Sequence, residues 1–294
     1  MYSHHQLVLM ITGTALLLHL IGLVFPAAGD TVFDSHYAID YGQDHVKFLD
    51  PQKTRVQLSL DTVSGARFSS KVKYGSGFFN MWIKLPAGDS AGVVTAFYLR
   101  SGDHALDEVD FEFLGNRPGE NISIQTNVFA NGVGNREQKL VLPFDPTADY
   151  HDYRILWNPH IIMMYIDGVP IRVFKNNTAI GVDYPSKPMQ ILASIWNGDY
   201  WATDGGRTKI DWSHAPFSAQ FRSFDVDGCS SSSTHDQDCA STKYWWNGDK
   251  FWELEEGSPK LWYKAMRTLI TYDYCTDTER YPVPPPECPS NSYL

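Results

Sequence analysis

From residue 56 onward the chain alternates apolar and polar positions in short runs broken by glycine, proline, asparagine and aspartate. This is the pattern of strands with one buried face. Residues 56–60 form the first such run. Residues 67–85 predict two alternating strands around a turn at Gly75-Ser76-Gly77, and Pro86 to Asp89 turns the chain again before an apolar strand at 93–99. Further strands are expected at 122–129, 139–142, 153–157, 161–166, 169–174, 189–196 and 219–226, with Asp167-Gly168 as a hairpin turn. Strand after strand at short spacing with little helical periodicity predicts an all-β chain folded as a β-sandwich.

The pattern changes near residue 228. A polar loop from Ser230 leads to Tyr244-Trp245-Trp246, and Ser258-Pro259 offers an N-cap and first helical position for a short amphipathic helix using Leu261, Met266, Leu269 and Ile270. Residues 282–286 are proline-rich. The expected organisation is therefore a sandwich over 30–228 and an extension over 229–294 that packs on it.

One run departs from ordinary strand composition. In Asp107 to Gly115, Glu108, Asp110 and Glu112 alternate with Val109, Phe111 and Phe113. In a strand the three carboxylates share one face and the three apolar groups the other. Acidic side chains are poor strand formers, so three on one face need a reason. A solvated acidic face or an oxygen-rich calcium site is one reading. Catalysis is another: two glutamates leaning toward each other from alternate rungs bring their carboxyls to roughly 5–5.5 Å, the separation of a nucleophile and acid/base pair in a retaining glycosidase. Like charges so close raise one another's pKa, which supplies a carboxylate and a carboxylic acid together.

Composition narrows the partners. The 294 residues are 14% aromatic, with 9 Trp, 16 Tyr and 16 Phe, a surplus that suits stacking on sugar rings as well as core packing. A formal net charge of −10 argues against nucleic acid or an anionic membrane as partner, and leaves a neutral polymer compatible. No metal-ligand spacing is present, and neither metal nor organic cofactor is expected.

Residues 1–29 lack Asp, Glu, Lys and Arg, are mostly apolar from Leu7 to Phe25, and end in Ala27-Ala28-Gly29, which predicts a cleaved secretory signal peptide; an uncleaved anchor is the alternative. In a secreted chain Cys229, Cys239, Cys275 and Cys288 are expected in disulfides, with three connectivities open. Nearest-neighbour pairing would close two short loops. Asn121-Ile122-Ser123 and Asn176-Asn177-Thr178 are glycosylation sequons.

These residues resemble the plant xyloglucan endotransglucosylase/hydrolases of glycoside hydrolase family sixteen. The resemblance covers nearly everything after residue 29. It is carried by Asp107 to Gly115, Gln125-Thr126-Asn127-Val128-Phe129, Asn135-Arg136-Glu137-Gln138, Trp196 to Gly206, Cys275-Thr276-Asp277 and Arg280-Tyr281-Pro282. It implies a concanavalin-like jelly roll with a concave cleft and a C-terminal extension. It also implies Glu108 as nucleophile, Glu112 as general acid/base and Asp110 as the residue that orients the nucleophile.

Substrate contacts implied by the resemblance are Gln125, Thr126, Asn127, Asn135, Arg136, Glu137, Tyr200, Trp201, Gly205 and, on the acceptor side, Arg280. Two departures stand out: Asp199-Tyr200-Trp201 where many relatives have a second aspartate, and Asn116 followed by Arg117-Pro118 where many carry a sequon. The implied activity is cleavage of a xyloglucan backbone and transfer to an oligosaccharide acceptor by a secreted, monomeric cell-wall (apoplast) enzyme, not bound to membrane in its mature form. The rivals are a mainly hydrolytic glucanase with the same trio and a non-catalytic glucan lectin.

Overall fold

The alternating runs form two antiparallel sheets that face each other across one core. The computed structural model describes residues 31–102 and 104–291; the expected signal peptide lies outside the described residues. The first sheet has the order β1 (Tyr37–Tyr41), β4 (Ala66–Ser70), β13 (Gln190–Asn197), β6 (Val93–Arg100), β7 (Glu108–Leu114), β8 (Ser123–Phe129), β9 (Gln138–Val141) and β16 (Ile270–Asp273). The second has the order β12 (Val169–Lys175), β11 (Ile161–Ile166), β10 (His151–Trp157), β5 (Tyr74–Lys84), β14 (Phe217–Arg222), β3 (Arg55–Leu60) and β2 (Val46–Phe48), with β15 (Asp227–Ser230) pairing on β5. The all-β sandwich expected from the alternation is what forms.

The acidic strand β7 lies inside the first sheet, hydrogen-bonded on both sides. Its odd-numbered side chains, Val109, Phe111 and Phe113, are at most 1% exposed and enter the core between the sheets. Phe113 meets the ring of Tyr153 on β10 edge-on at 4.6 Å. Each such burial contributes of order 2 kcal/mol. The even-numbered face is thereby turned outward, and a one-residue slip would put three carboxylates into the core.

Three local expectations are corrected. The turn between β4 and β5 falls at residues 71–73, not at Gly75-Ser76-Gly77, and the two strands belong to different sheets. The two glycines sit within β5 because larger residues do not fit: a Cβ on Gly77 would lie 2.3 Å from the Phe79 ring, and one on Gly75 would lie 3.0 Å from Cys239. The final strand of the sandwich proper ends at Arg222 rather than continuing to residue 226. In the extension the helix Ser258–Arg267 has Gly257, not Ser258, as its N-cap and buries Tyr263 and Met266. Leu261 is 66% exposed, and Ile270 opens β16 instead of closing the helix. Asp167 and Gly168, with φ of 49° and 78°, make the expected hairpin.

The extension is tied into both sheets. β15 extends along β5, and β16 adds to the edge of the first sheet beside β9. Disulfides join Cys229 to Cys239 and Cys275 to Cys288, with Cα separations of 5.3 and 5.6 Å, which is the nearest-neighbour connectivity of the three.

Candidate active site

Register fixes what stands beside each carboxylate. Glu108 pairs across with Arg100 on β6 and Phe129 on β8, Asp110 with Tyr98 and Asn127, and Glu112 with Ala96 and Gln125. The Arg100 guanidinium forms an ion pair with Glu108. Gln125 Nε2 donates to Glu112 Oε2 at 2.9 Å. Asp110 is 6% exposed, the most enclosed of the three.

Burial raises all three carboxyls above their ordinary range. For Glu112 it pushes the pKa up to about 7, the Gln125 amide pulling the other way and the charges of Glu108 and Glu137 adding to the rise. For Asp110 the shift is well above the usual value, from burial first and then from Glu108 and Glu112. For Glu108 burial raises the pKa while Arg100 opposes it. Three equivalent acids in the sequence thus become three unequal ones in the fold.

A groove of about 620 Å³ opens over Glu112 and Gln125 toward the edge of the sheet. Phe129, Glu137 and Lys139 line it together with Tyr272 and Arg280 from the C-terminal extension and Trp196, Tyr200 and Trp201 from β13 and the loop after it. Lys139 stands opposite Gln125, and its ammonium is pushed down by burial while Glu112 and Glu137 hold it up. Trp196 and Trp201 lie 6.1 Å apart over a small apolar cluster with Val94, Leu114 and Ala202. Beyond β7 in the other direction the same face carries Tyr98, then Arg67 and Ser69, both bonded to Asp40 at 2.8 and 2.7 Å.

Tyr200 and Trp201 are held by a tightly built loop. Buried Thr203 accepts from Gly92 N–H and donates to the Gly115 carbonyl, both at 2.8 Å, pinning the loop to the end of β7. Asp204, Gly205 and Gly206 have φ of 52°, 65° and 82°. A Cβ on Gly206 would lie 2.2 Å from the Tyr200 carbonyl oxygen. Tyr200 is 74% exposed, a ring free to meet a ligand.

Of the residues singled out in the sequence, Glu112, Gln125, Glu137, Tyr200, Trp201 and Arg280 line this groove, Glu108 and Asp110 stand beside it on the same face of the sheet, and Thr126 and Arg136 turn away from that face. Arg280 donates to Glu137 Oε2 at 2.9 Å and to Asn135 Oδ1 at 2.6 Å, joining those three at the rim. Gly205 shapes the loop of Tyr200 and Trp201 through its backbone. Asn127 faces the Asp110 rung, its Oδ1 accepting from Val128 and Arg136 N–H groups. Thr126, by contrast, has the opposite strand parity from Gln125; its hydroxyl bonds the Gln138 carbonyl and accepts from Arg172 beneath the sheet. Arg136 turns inward to an ion pair with Glu287 at 3.0 Å and is 8% exposed. Both are corrected to supports of β8, turned away from the open face that carries Glu108, Asp110 and Glu112. The sequence reading missed Arg100, Lys139, Trp196 and Tyr272. Strand parity and pairing would have shown Lys139; Tyr272 arrives only because β16 joins the sheet.

The profile described as "Glycosyl hydrolases family 16" matches residues 33–214, and that described as "Xyloglucan endo-transglycosylase (XET) C-terminus" matches residues 240–288. Xyloglucan endotransglucosylase/hydrolase protein 2 of Arabidopsis thaliana is 56% identical over 258 residues, 87% of this chain and 88% of that one. The chain belongs to glycosyl hydrolase family 16, among the xyloglucan endotransglucosylase/hydrolases. Xyloglucan endotransglucosylase protein 2 of Diospyros kaki is 48% identical over 262 residues, 88% of each chain. Among solved structures, the Bacillus licheniformis β-glucanase superposes with a TM-score of 0.51 at 26% identity, over 64% of this chain and 89% of that one. A prokaryotic β-1,3-1,4-glucanase from a mouse hindgut metagenome gives a TM-score of 0.53 at 24% identity, over 66% of this family member and 93% of its own chain, and shares the fold. Both solved glucanases align with about two thirds of this family member, and the C-terminal profile match lies over the segment that includes β16 and Arg280.

Proposed function

We propose that this chain is a retaining endo-transglycosylase that cleaves the β-1,4-glucan backbone of xyloglucan and rejoins the fragment to a glucan acceptor. The observation that carries the reading is the row of Glu108, Asp110 and Glu112 on the open face of the first sheet, each in a different electrostatic setting. Glu108, paired with a cation, is the nucleophile. Glu112, whose proton is held up to about pH 7, is the general acid. Burial and the two flanking glutamates push the Asp110 carboxyl well above its usual range, which works against a third charge beside the nucleophile.

In the first step Glu108 attacks the anomeric carbon while Glu112 protonates the leaving oxygen. In the second, Glu112 acts as base on an incoming hydroxyl, and the ester on Glu108 is displaced. The groove beyond Glu112, lined by Phe129, Lys139, Trp201, Tyr272 and Arg280, is the acceptor side. A sugar held there presents its hydroxyl at high effective concentration, which favours transfer over hydrolysis. Residues 30–228 form the catalytic unit in this reading and 229–294 complete its acceptor side, in a secreted, monomeric wall enzyme glycosylated at Asn121 and Asn176. The two disulfides suit an oxidising compartment.

Purified protein given xyloglucan and a labelled xyloglucan oligosaccharide should place label into polymer without a matching rise in reducing ends. A rise in reducing ends that ignores added acceptor would make it a hydrolase, and an unchanged polymer would remove the enzymatic reading.

The Glu112 environment makes a second expectation. Since Glu112 acts as acid while protonated, kcat/KM should fall as pH rises through about 7. The Gln125 amide favours the ionised form, so in Gln125→Ala the alkaline limb should move up by about one unit, the equivalent of one charge-assisted hydrogen bond. A limb that stays in place would separate Gln125 from the acid.

A further inference from the structure

Arg100 closes β6 directly opposite Glu108, on the same open face of the sheet, and its guanidinium pairs with Glu108 Oε2. Its side chain is 39% exposed, against 12% for Glu108. An ion pair with so open a partner contributes only about 0–1 kcal/mol to stability. Its consequence must therefore be sought in the reaction. Among the described residues on the strands beside Glu108, no other supplies a cation. Its own strand presents Asp110 and Glu112, β6 presents Tyr98, and β8 presents the uncharged Asn127 and Phe129. Across β6, Arg100 is backed by the neutral Gln190 of β13.

We propose that Arg100 is a positioning residue for the nucleophile: it holds Oε2 of Glu108, keeps the carboxylate ionised next to two other acids, and leaves Oε1 to attack. This rests on Glu108 being the nucleophile. As Oε1 forms its bond to the anomeric carbon, the glycosidic bond breaks and the Glu112 proton passes to the leaving oxygen. Glu108 then changes from anion to ester, and the guanidinium loses a full charge partner. When the acceptor hydroxyl attacks, its proton goes to Glu112. The electron pair of the ester bond returns to Glu108, where Arg100 meets the restored charge. Arg100 thus sets the lower pH limit of the first step and assists departure in the second.

The test uses the full chain with Arg100→Ala, Arg100→Lys and Glu108→Ala, measuring transfer from xyloglucan to labelled oligosaccharide between about pH 4 and about pH 8. In Arg100→Ala the acid limb of kcat/KM should move up by about one unit, a roughly tenfold loss below the limb and a much smaller one above it. Arg100→Lys should return most of that shift. A merely structural role would scale the whole profile and lower Tm, leaving the limb where it was, and that result overturns the proposal. If Glu108→Ala is inactive and the Arg100→Ala limb is unmoved, the positioning role alone falls. If Glu108→Ala retains transfer, the assignment of the nucleophile falls and this inference with it.

Discussion

Glu108→Ala should lower transfer by about 10⁴-fold or more, because no other group can form the covalent intermediate and the two-step route is closed. Addition of azide should then restore product formation in an informative way. A small anion entering the space left by the carboxylate attacks from the nucleophile's side, and so gives a glycosyl azide of inverted configuration. Glu112→Ala should behave differently. With a good leaving group the ester on Glu108 still forms, and azide displaces it from the opposite side, giving a product of retained configuration. The stereochemistry of the two azides, read by NMR of the anomeric proton, separates the two roles. The same configuration from both variants would overturn the assignment of Glu108 and Glu112, which stand on equivalent rungs of one strand.

The difference between the two glutamates is a property of neighbours. Glu108 faces Arg100 on one side and Phe129 on the other, whereas Glu112 faces Ala96 and Gln125. Lys139 is one strand further from Glu112, and Glu137 adds a negative charge that holds the acid's proton. Nothing within 108–112 itself distinguishes them.

That also marks what the sequence could and could not convey. The face of every β7 side chain was legible, since period two dictates it and the apolar partners Val109, Phe111 and Phe113 leave no alternative register. The sandwich was legible for the same reason. Thr126 was legible too, had parity been applied to it: it follows Gln125 and must point the other way. Arg136 was not. Asn135, at φ 64°, turns the chain so that the next guanidinium passes beneath β8, and local pattern carries no sign of that. The hidden turn at residues 71–73 has a similar cause, because Gly75 answers to Cys239 and Gly77 to the Asp227 carbonyl as well as the nearby Phe79 ring, and the first two are neighbours in space and not in sequence. Tyr272 reaches the groove only because β16 joins the edge strand β9 from 129 residues on, judged by the Ile270 to Val141 separation in sequence. Contacts of that range follow from packing alone.

The buried ion pair beneath the groove is where the largest loss of stability is expected. Glu287 is 3% exposed and accepts from Arg136 Nε at 3.0 Å and from the Tyr274 hydroxyl at 3.3 Å. Arg136 also donates to the Val133 carbonyl at 2.8 Å and lies over the Phe174 ring at 5.4 Å. Arg172, equally enclosed, bonds Thr126 and the Arg136 carbonyl next to it. Glu287→Ala leaves a guanidinium in this enclosure without its carboxylate, and the expected loss is about 3–5 kcal/mol. For a chain of this size that lowers Tm by roughly 6–20 °C. Denaturant titration should show a lower midpoint with an unchanged slope. Because Glu287 adjoins Cys288, whose disulfide to Cys275 closes the loop bearing Arg280, the same variant should raise the acceptor KM more than it slows attack on the donor. Glu287→Leu combined with Arg136→Met should recover much of the stability, since removing both charges removes the uncompensated one. It should not recover the acceptor KM, because the Val128 carbonyl at the end of β8 and the Val133 carbonyl beyond it, both held by Arg136, would still be released. A double variant no more stable than Glu287→Ala would mean that the guanidinium finds water once its partner is gone, and that the network's contribution lies in shape instead of charge.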